Sequence, residues 1–376
     1  MIFRLLCVLS VWSFSVCTWA DTESELVGCP FSKDPFSVDL PLSDVVANDV
    51  ALKTLLKLAP NASAIIDSAK GEGGLPLEFL NIVTPRSVLS SGWAKTTPEN
   101  IAAIDDALRR LPITEHDQIQ RCARYDVSRP EIPKADEKPL VLVFDRVVGY
   151  RHGDSIIAAN KLLAKIAGNK NWQLLVTDKA GVFNPDDLAK VDLVVWNNTS
   201  GDLLTVDQRA ALRDYIETGG GFVGLHAAGG DPVFFWDWYV DTLIGARFIG
   251  HPGDPQIQQA KVIVEQEESG LSTDLVWLPE DEWYSFSESP RKYDSDVLLR
   301  LDESTYRAIG YNGEDLTMGD HPIAWRRCVD QGRSFYSALG HQPEVYADHN
   351  FKKMLQHNLT WAMNGQGCST REKSHE

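Results

Sequence analysis

The sequence predicts an α/β fold, a doubly wound, mostly parallel sheet flanked by helices, with a small, mainly helical region ahead of it. Three observations predict it. Leu140-Val141-Leu142-Val143-Phe144 and Leu193-Val194-Val195-Trp196 are continuous apolar runs of strand length, the texture of strands buried on both faces of a parallel sheet. Helical stretches alternate with these runs, and that rhythm implies right-handed crossovers. The stretch GGGFVGLHAAGG, Gly219 to Gly230, has the form of a buried strand entering a sharp bend of the kind that displays a reactive side chain.

From Asp21 to about residue 137 the chain is polar and rich in turns. It holds a helical stretch from Asp49 to Leu58, stopped by Pro60. A second begins at Thr97-Pro98, an N-cap followed by proline in the first turn, and runs through Ile101, Ile104 and Leu108. Arg129 to Pro139 is a charged, proline-bounded linker, so a boundary belongs there. The α/β domain is expected over residues 138–366, with a tail over 367–376. Its first strand, Leu140 to Phe144, leads to a helix from about Ser155 with Ile156, Ala159, Leu163 and Ile166 on one face. Asp154 or Ser155 is the natural N-cap. Strands follow at Gln173 to Val176 and Leu193 to Trp196. The capping box Thr205-Val206-Asp207-Gln208 then opens a helix to Thr218. The glycine triplet ends that helix, and Phe222 to Leu225 is the next strand. His321 to Arg326 and Arg333 to Leu339 form an antiparallel pair across Val329 to Gly332, and a last helix spans about Asn350 to Met363.

Arg4, the apolar run LLCVLSVWSFSV and the small residues of Thr18-Trp19-Ala20 make residues 1–20 a secretory signal peptide, cleaved after Ala20. The run is short for a membrane span. Of six cysteines, Cys7 and Cys17 leave with the signal, and the even number left in an oxidising compartment implies two disulfides. Three pairings are available. Cys29 with Cys122 and Cys328 with Cys368 is the one that staples each terminal segment to its own region. A formal charge of −17 argues against nucleic acid or an anionic membrane as partner and favours a neutral or cationic small molecule. With 43% hydrophobic residues, the 376-residue chain has material for one large core and a smaller one.

His152, His226, His251, His321 and His341 each stand at or just beyond the edge of an expected strand, where open α/β sheets bind ligands. Each taken alone reads more simply as a histidine bracing a loop, so the weight lies in their convergence. Arg151 belongs to the loop after the first strand, where backbone amides and its guanidinium suit an oxygen-rich ligand. Asn198 lies in a polar loop after another strand. Asp231 to Tyr239, which includes Trp238, sets rings beside carboxylates as a sugar requires, and Asp281-Glu282-Trp283-Tyr284 repeats the pairing. His226 is expected to project above the sheet edge, facing ligand and not buried in the core.

The chain from about Leu140 to Gly365 resembles the ThuA-like (trehalose-utilisation) family. The resemblance rests on Tyr150-Arg151-His152, Asn198 to Asp202, Gly219 to Ala228, Trp236 to Tyr239, Gly250-His251-Pro252, Asp281 to Tyr284, Asp320 to Trp325, and Gly332-Arg333 through Gly340-His341. It implies a class I glutamine-amidotransferase-like α/β sandwich. In amidotransferases the bend carries a catalytic cysteine; here His226 stands there, so thiol amidotransfer is excluded. The resemblance also implies an association with disaccharide and keto-sugar metabolism.

The resulting expectation is an exported, periplasmic carbohydrate-processing protein acting on a disaccharide or keto-glycoside. His152, His226, His251 and Glu282 would be catalytic. Arg151, Asn198, Asp231, Trp238, Tyr284 and His341 would bind substrate. A divalent metal such as zinc suits a pocket of imidazoles with a carboxylate. The partner expected is a small-molecule sugar, with no nucleic acid and no membrane once the signal is removed. Hydrolase, lyase and isomerase chemistry remain open, as does oligomeric state, and a noncatalytic sugar-binding module is the rival reading.

Overall fold

The computed structural model describes residues 28–69, 75–91, 94, 96–134, 137–364 and 368. The expected signal peptide lies outside the described residues. The N-terminal region is built from short helices around Asp49–Leu58 (α1) and Pro98–Arg109 (α2). Asn48 caps α1 by accepting from the Val50 and Ala51 amides, and Thr97 caps α2 through the Asn100 amide. Their apolar faces, Ala51 and Leu55 against Ile101, Ile104 and Leu108, form a hydrophobic core separate from that of the sheet. Further helices at Leu42–Val46, Ser63–Ser68, Pro85–Ser90 and Glu115–Cys122 complete the region. Cys29 and Cys122 are joined by a disulfide across 93 positions of sequence.

Among the described residues twelve strands follow: β1 Leu140–Phe144, β2 Gln173–Thr177, β3 Leu193–Asn197, β4 Gly221–Leu225, β5 Phe248–Gly250, β6 Ile257–Gln259, β7 Lys261–Val264, β8 Glu280–Glu282, β9 Ser285–Phe286, β10 Asp296–Asp302, β11 Pro322–Val329 and β12 Gly332–Ser337. Eight of them make one sheet in the order β2-β1-β3-β4-β12-β11-β10-β7. Pairing is parallel from β2 to β12 and antiparallel from β12 to β7. The fold is therefore the expected mostly parallel sheet flanked by helices, with an antiparallel extension on one side. β1, β3 and β4 are buried along their whole lengths, as continuous apolar runs require, and each such Val, Leu or Phe side chain contributes about 1.5–3 kcal/mol relative to exposure.

Three long helices pack on the sheet: Gly153–Lys170 (α3), Val206–Glu217 (α4) and His349–Met363 (α5). The α4 capping box forms as read, with Thr205 and Gln208 each bonding the other's backbone N–H. The start of α3 differs from expectation. His152 occupies the N-cap with no side-chain cap, and the Ser155 hydroxyl instead donates to the His341 carbonyl. After β4 the chain makes only a 3-10 turn, His226–Gly229, before a π-helical segment at Trp238–Ile244.

Cys328 of β11 is bonded to Cys368 beyond α5. Both disulfides match the favoured pairing and suit an oxidising compartment. Among the described residues no helix is long and apolar enough to cross a membrane. The N-terminal region braces the sheet's loops directly: Asn81 Nδ2 donates to Val148 O at 2.7 Å, and the Tyr125 hydroxyl donates to Asp202 at 2.6 Å. A side chain at Gly149 would meet Ile82 at 2.6 Å, so the loop after β1 needs glycine where that region approaches it.

Candidate functional site

β1, β3, β4 and β12 are parallel neighbours, so the loops that follow them emerge at one edge of the sheet. His152 follows β1, Asn198 follows β3, His226 follows β4 and His341 follows β12. The loops after β1 and β3 are tied by a parallel bridge between Val147 and Ser200.

His226 sits at the bend with φ +46°, a left-handed conformation uncommon for a residue with a β-carbon. The Tyr336 hydroxyl donates to its carbonyl at 2.8 Å and helps hold the bend. Contrary to expectation, the imidazole is fully buried. Its Nδ1 lies 2.7 Å from the Ala338 carbonyl, which can only accept, so Nδ1 carries a proton and the bond sets Nε2 toward the site. The Tyr284 hydroxyl lies 2.8 Å from that Nε2, and the two rings stack at 4.2 Å. The bend lies against the segment that carries Glu282 and Tyr284, and the Tyr284 ring stacks on the imidazole.

That segment brings Glu282. β8 pairs with β6 in a separate two-stranded sheet, and the buried Glu282 carboxylate at its end points into the histidines. Its Oε2 lies 3.4 Å from His226 Nε2 and 3.1 Å from His341 Nδ1, and its Oε1 lies 3.2 Å from His251 Nδ1. Gln256 also donates to Oε1. Asp281 turns the other way and accepts from the Gly340 and Gln342 amides at 2.6 and 2.9 Å, clamping the loop that carries His341. Gly340 needs its hydrogen side chain, because φ is +129° and a Cβ would stand 2.4 Å from the Tyr346 hydroxyl. The rings of His152, His226 and His341 lie 4.9 to 5.3 Å apart and edge-on to one another.

The electrostatics divide these imidazoles. Burial, then the neighbouring His226 and His341, holds His152 well below the usual histidine range despite Glu282. For His341 burial also acts downward, but the bond to Glu282 and the charges of Glu282 and Asp281 outweigh it and raise the ring. Burial acts to raise Glu282, yet the bonds from His226 and His341 and the nearby His251 hold it well below the ordinary carboxylate range. A neutral imidazole thus stands beside one biased toward its charged form, the separation of affinities that acid–base chemistry uses.

Of the residues expected at the site, His152, His226, His251, His341, Glu282 and Tyr284 converge. Arg151 is exposed at the rim, next to Tyr150, whose ring lies edge-on to His152 at 4.9 Å. Asn198 turns inward, donating to Asn197 and to the Tyr346 hydroxyl, and holds φ at +53°. Asp231 braces the loop after β3 by accepting from the Ser200 hydroxyl and the Gly201 amide. Trp238 is placed elsewhere: its indole donates to Glu217, which precedes β4 at the opposite edge, one strand length or roughly 15 Å away. His321 is buried between Glu303 and the Tyr284 carbonyl and steadies Tyr284 from behind.

The family model for ThuA, described as trehalose utilisation, matches residues 140–362. The chain belongs to the ThuA family. A ThuA-like protein of Bacteroides uniformis is 26% identical with a TM-score of 0.51, over 62% of this chain and 95% of that one. One from Parabacteroides merdae is 16% identical with a TM-score of 0.44, over 63% and 94%. No curated protein matches the chain.

Within the ThuA portion the structure adds residues that the sequence reading omits from the site. Tyr311 is exposed and stands edge-on to His251 at 5.6 Å, so Tyr150 and Tyr311 are two exposed rings beside the cluster. Gln256 and Asp281 are positioning groups. Tyr311 lies in an irregular stretch between Thr305 and Pro322, where no periodicity marks it.

Asp231 supplies a prediction for this loop system. Burial pushes its carboxyl up to about 7 from 3.8, against the bonds from Ser200 and Gly201. The folded protein keeps this proton up to about pH 7 while the unfolded chain releases it near pH 4. The contribution to stability is therefore full below the unfolded value and is lost as pH rises through the folded one, by up to about 4 kcal/mol. Asp231→Asn, neutral at every pH, is expected to remove this slope from urea midpoints measured between about pH 4 and pH 7. An unchanged slope would show that Asp231 is ionised when folded.

Proposed function

We propose that this member of the ThuA family is an exported protein that processes a disaccharide or keto-glycoside at the histidine–carboxylate cluster. The observation that carries the reading is the convergence of His152, His226, His341 and Glu282 at the C-terminal edge of the parallel strands, with His251 on the outer oxygen of Glu282. Four hydrogen-bonding side chains of mixed charge bias, flanked by the exposed rings of Tyr150 and Tyr311, suit a sugar, whose hydroxyls take the bonds while its apolar faces stack. His341, held by Glu282, is placed to give a proton to a sugar oxygen, and His152 to take one; both are partly open to solvent, whereas His226 is not. The four mature cysteines are tied in disulfides, consistent with chemistry that uses no thiol.

Export is supported by the leader sequence and by the two disulfides. The test of function is incubation of the purified mature protein with trehalose and with 3-keto-glycosides, followed by chromatography of the products. Release or rearrangement of a sugar supports the enzyme. Saturable binding without turnover would place the protein among sugar-binding modules, and absence of both would remove carbohydrate from the account.

A further inference from the structure

We infer that His152, His226, His341 and Glu282 form a binding site for one divalent transition-metal ion. One donor atom from each of the four lies within 4.8 Å of the others. Zinc bonds of 2.0–2.1 Å in a tetrahedron set ligand atoms about 3.3 Å apart. The separations from Glu282 Oε2 to His226 Nε2 and His341 Nδ1, 3.4 and 3.1 Å, already meet that spacing. The wider remainder closes with modest rotation of side chains.

Three further features point to an ion and not only to a hydrogen-bonded cluster. His152 Nδ1 is buried with no hydrogen-bond partner, a cost of about 1–3 kcal/mol that a bound cation, or rotation of the ring toward one, would relieve. His226 gives its Nδ1–H to the Ala338 carbonyl, which orients the ring with Nε2 toward Glu282, the usual support of a metal-bound histidine. Asp281 locks the His341 loop through two amides, and Gln256 and His251 engage the other oxygen of Glu282, so the ligand set is held from outside. Three imidazoles with one carboxylate select ions of the zinc, iron or cobalt type over magnesium or calcium, which prefer all-oxygen sites. Tyr284, with its hydroxyl beside His226 Nε2, is placed to bond a water or substrate oxygen on such an ion. The inference shares its residues with the carbohydrate reading but does not depend on it.

The test uses the full mature protein, stripped with chelator and titrated with zinc, then with cobalt as a coloured probe. One equivalent per chain is expected, with visible cobalt bands and a higher melting temperature that chelator reverses. His341→Ala and Glu282→Gln should each weaken zinc binding by at least about 100-fold, whereas His116→Ala, on an exposed helix of the N-terminal region, should leave it unchanged. Should a variant fail to fold, X-ray absorption of the zinc-loaded wild type decides: scattering from about three imidazoles supports the site. Binding unaffected by these substitutions, a metal shell without imidazole, or no stoichiometric binding would overturn it. Metal binding without action on any sugar would sustain this site and remove the proposed function.

Discussion

Glu282→Gln is expected to lower kcat/KM on the glycoside that the wild type turns over by about 10³-fold while the protein still folds. The carboxylate is the hub of the site. It faces His226, His341 and His251 at 3.1 to 3.4 Å and accepts from Gln256. Glutamine keeps the shape but removes the charge that draws these rings together, and its NH2 group confronts donors where an oxygen accepted. A 10³-fold loss corresponds to about 4 kcal/mol in the barrier, whereas one mismatched buried bond costs about 1–3 kcal/mol of stability. Initial rates and melting curves of the same preparation separate the two effects. Unchanged turnover in a folded variant would remove Glu282 from the chemistry, and with it the reason for placing the site here.

Breaking the Cys29–Cys122 disulfide is expected to be the larger stability effect. The bond closes a loop across 93 positions, for which chain entropy gives about 4–5 kcal/mol. The bridged region has a core of its own made largely of short helices, so it has little reserve against that loss. The Cys328–Cys368 bond closes a shorter loop, 40 positions, beside a buried sheet and is expected to matter slightly less. Double serine substitution of Cys29 and Cys122, followed by denaturant titration, should show the N-terminal region melting before the sheet. A single transition at the wild-type midpoint would contradict this.

Much of the sheet was legible because its signals are local. β1 and the first four residues of β3 are apolar at every position, and the Thr205-to-Gln208 box marks a helix start through contacts three residues apart. The short helices at Ser63–Ser68 and Pro85–Ser90 give too few turns for a periodic pattern. The site was legible in part. Parallel topology alone brings the ends of β1, β4 and β12 to one edge, so His152, His226 and His341 converge as their positions imply. What covers that edge is not written locally. Glu282 arrives on a strand of three residues, β8, and its companion Tyr284 buries His226, a long-range event that reverses the expected exposure. Trp238 shows the converse error. Rings beside carboxylates resemble a sugar site wherever they stand, and only the bond to Glu217 reveals that this one lies at the other edge.

Sugar binding at the proposed histidine–carboxylate site would perturb the imidazoles themselves. Its most direct measurement is NMR of ring-labelled histidines during titration with a 3-keto-glycoside and with trehalose. Saturable shifts are expected in the ring signals of His152, His226 and His341, assigned by single substitution, while His116 and His357, exposed on helices outside the cluster, stay unmoved. Saturable sugar binding that leaves those three signals unchanged would contradict the proposed site.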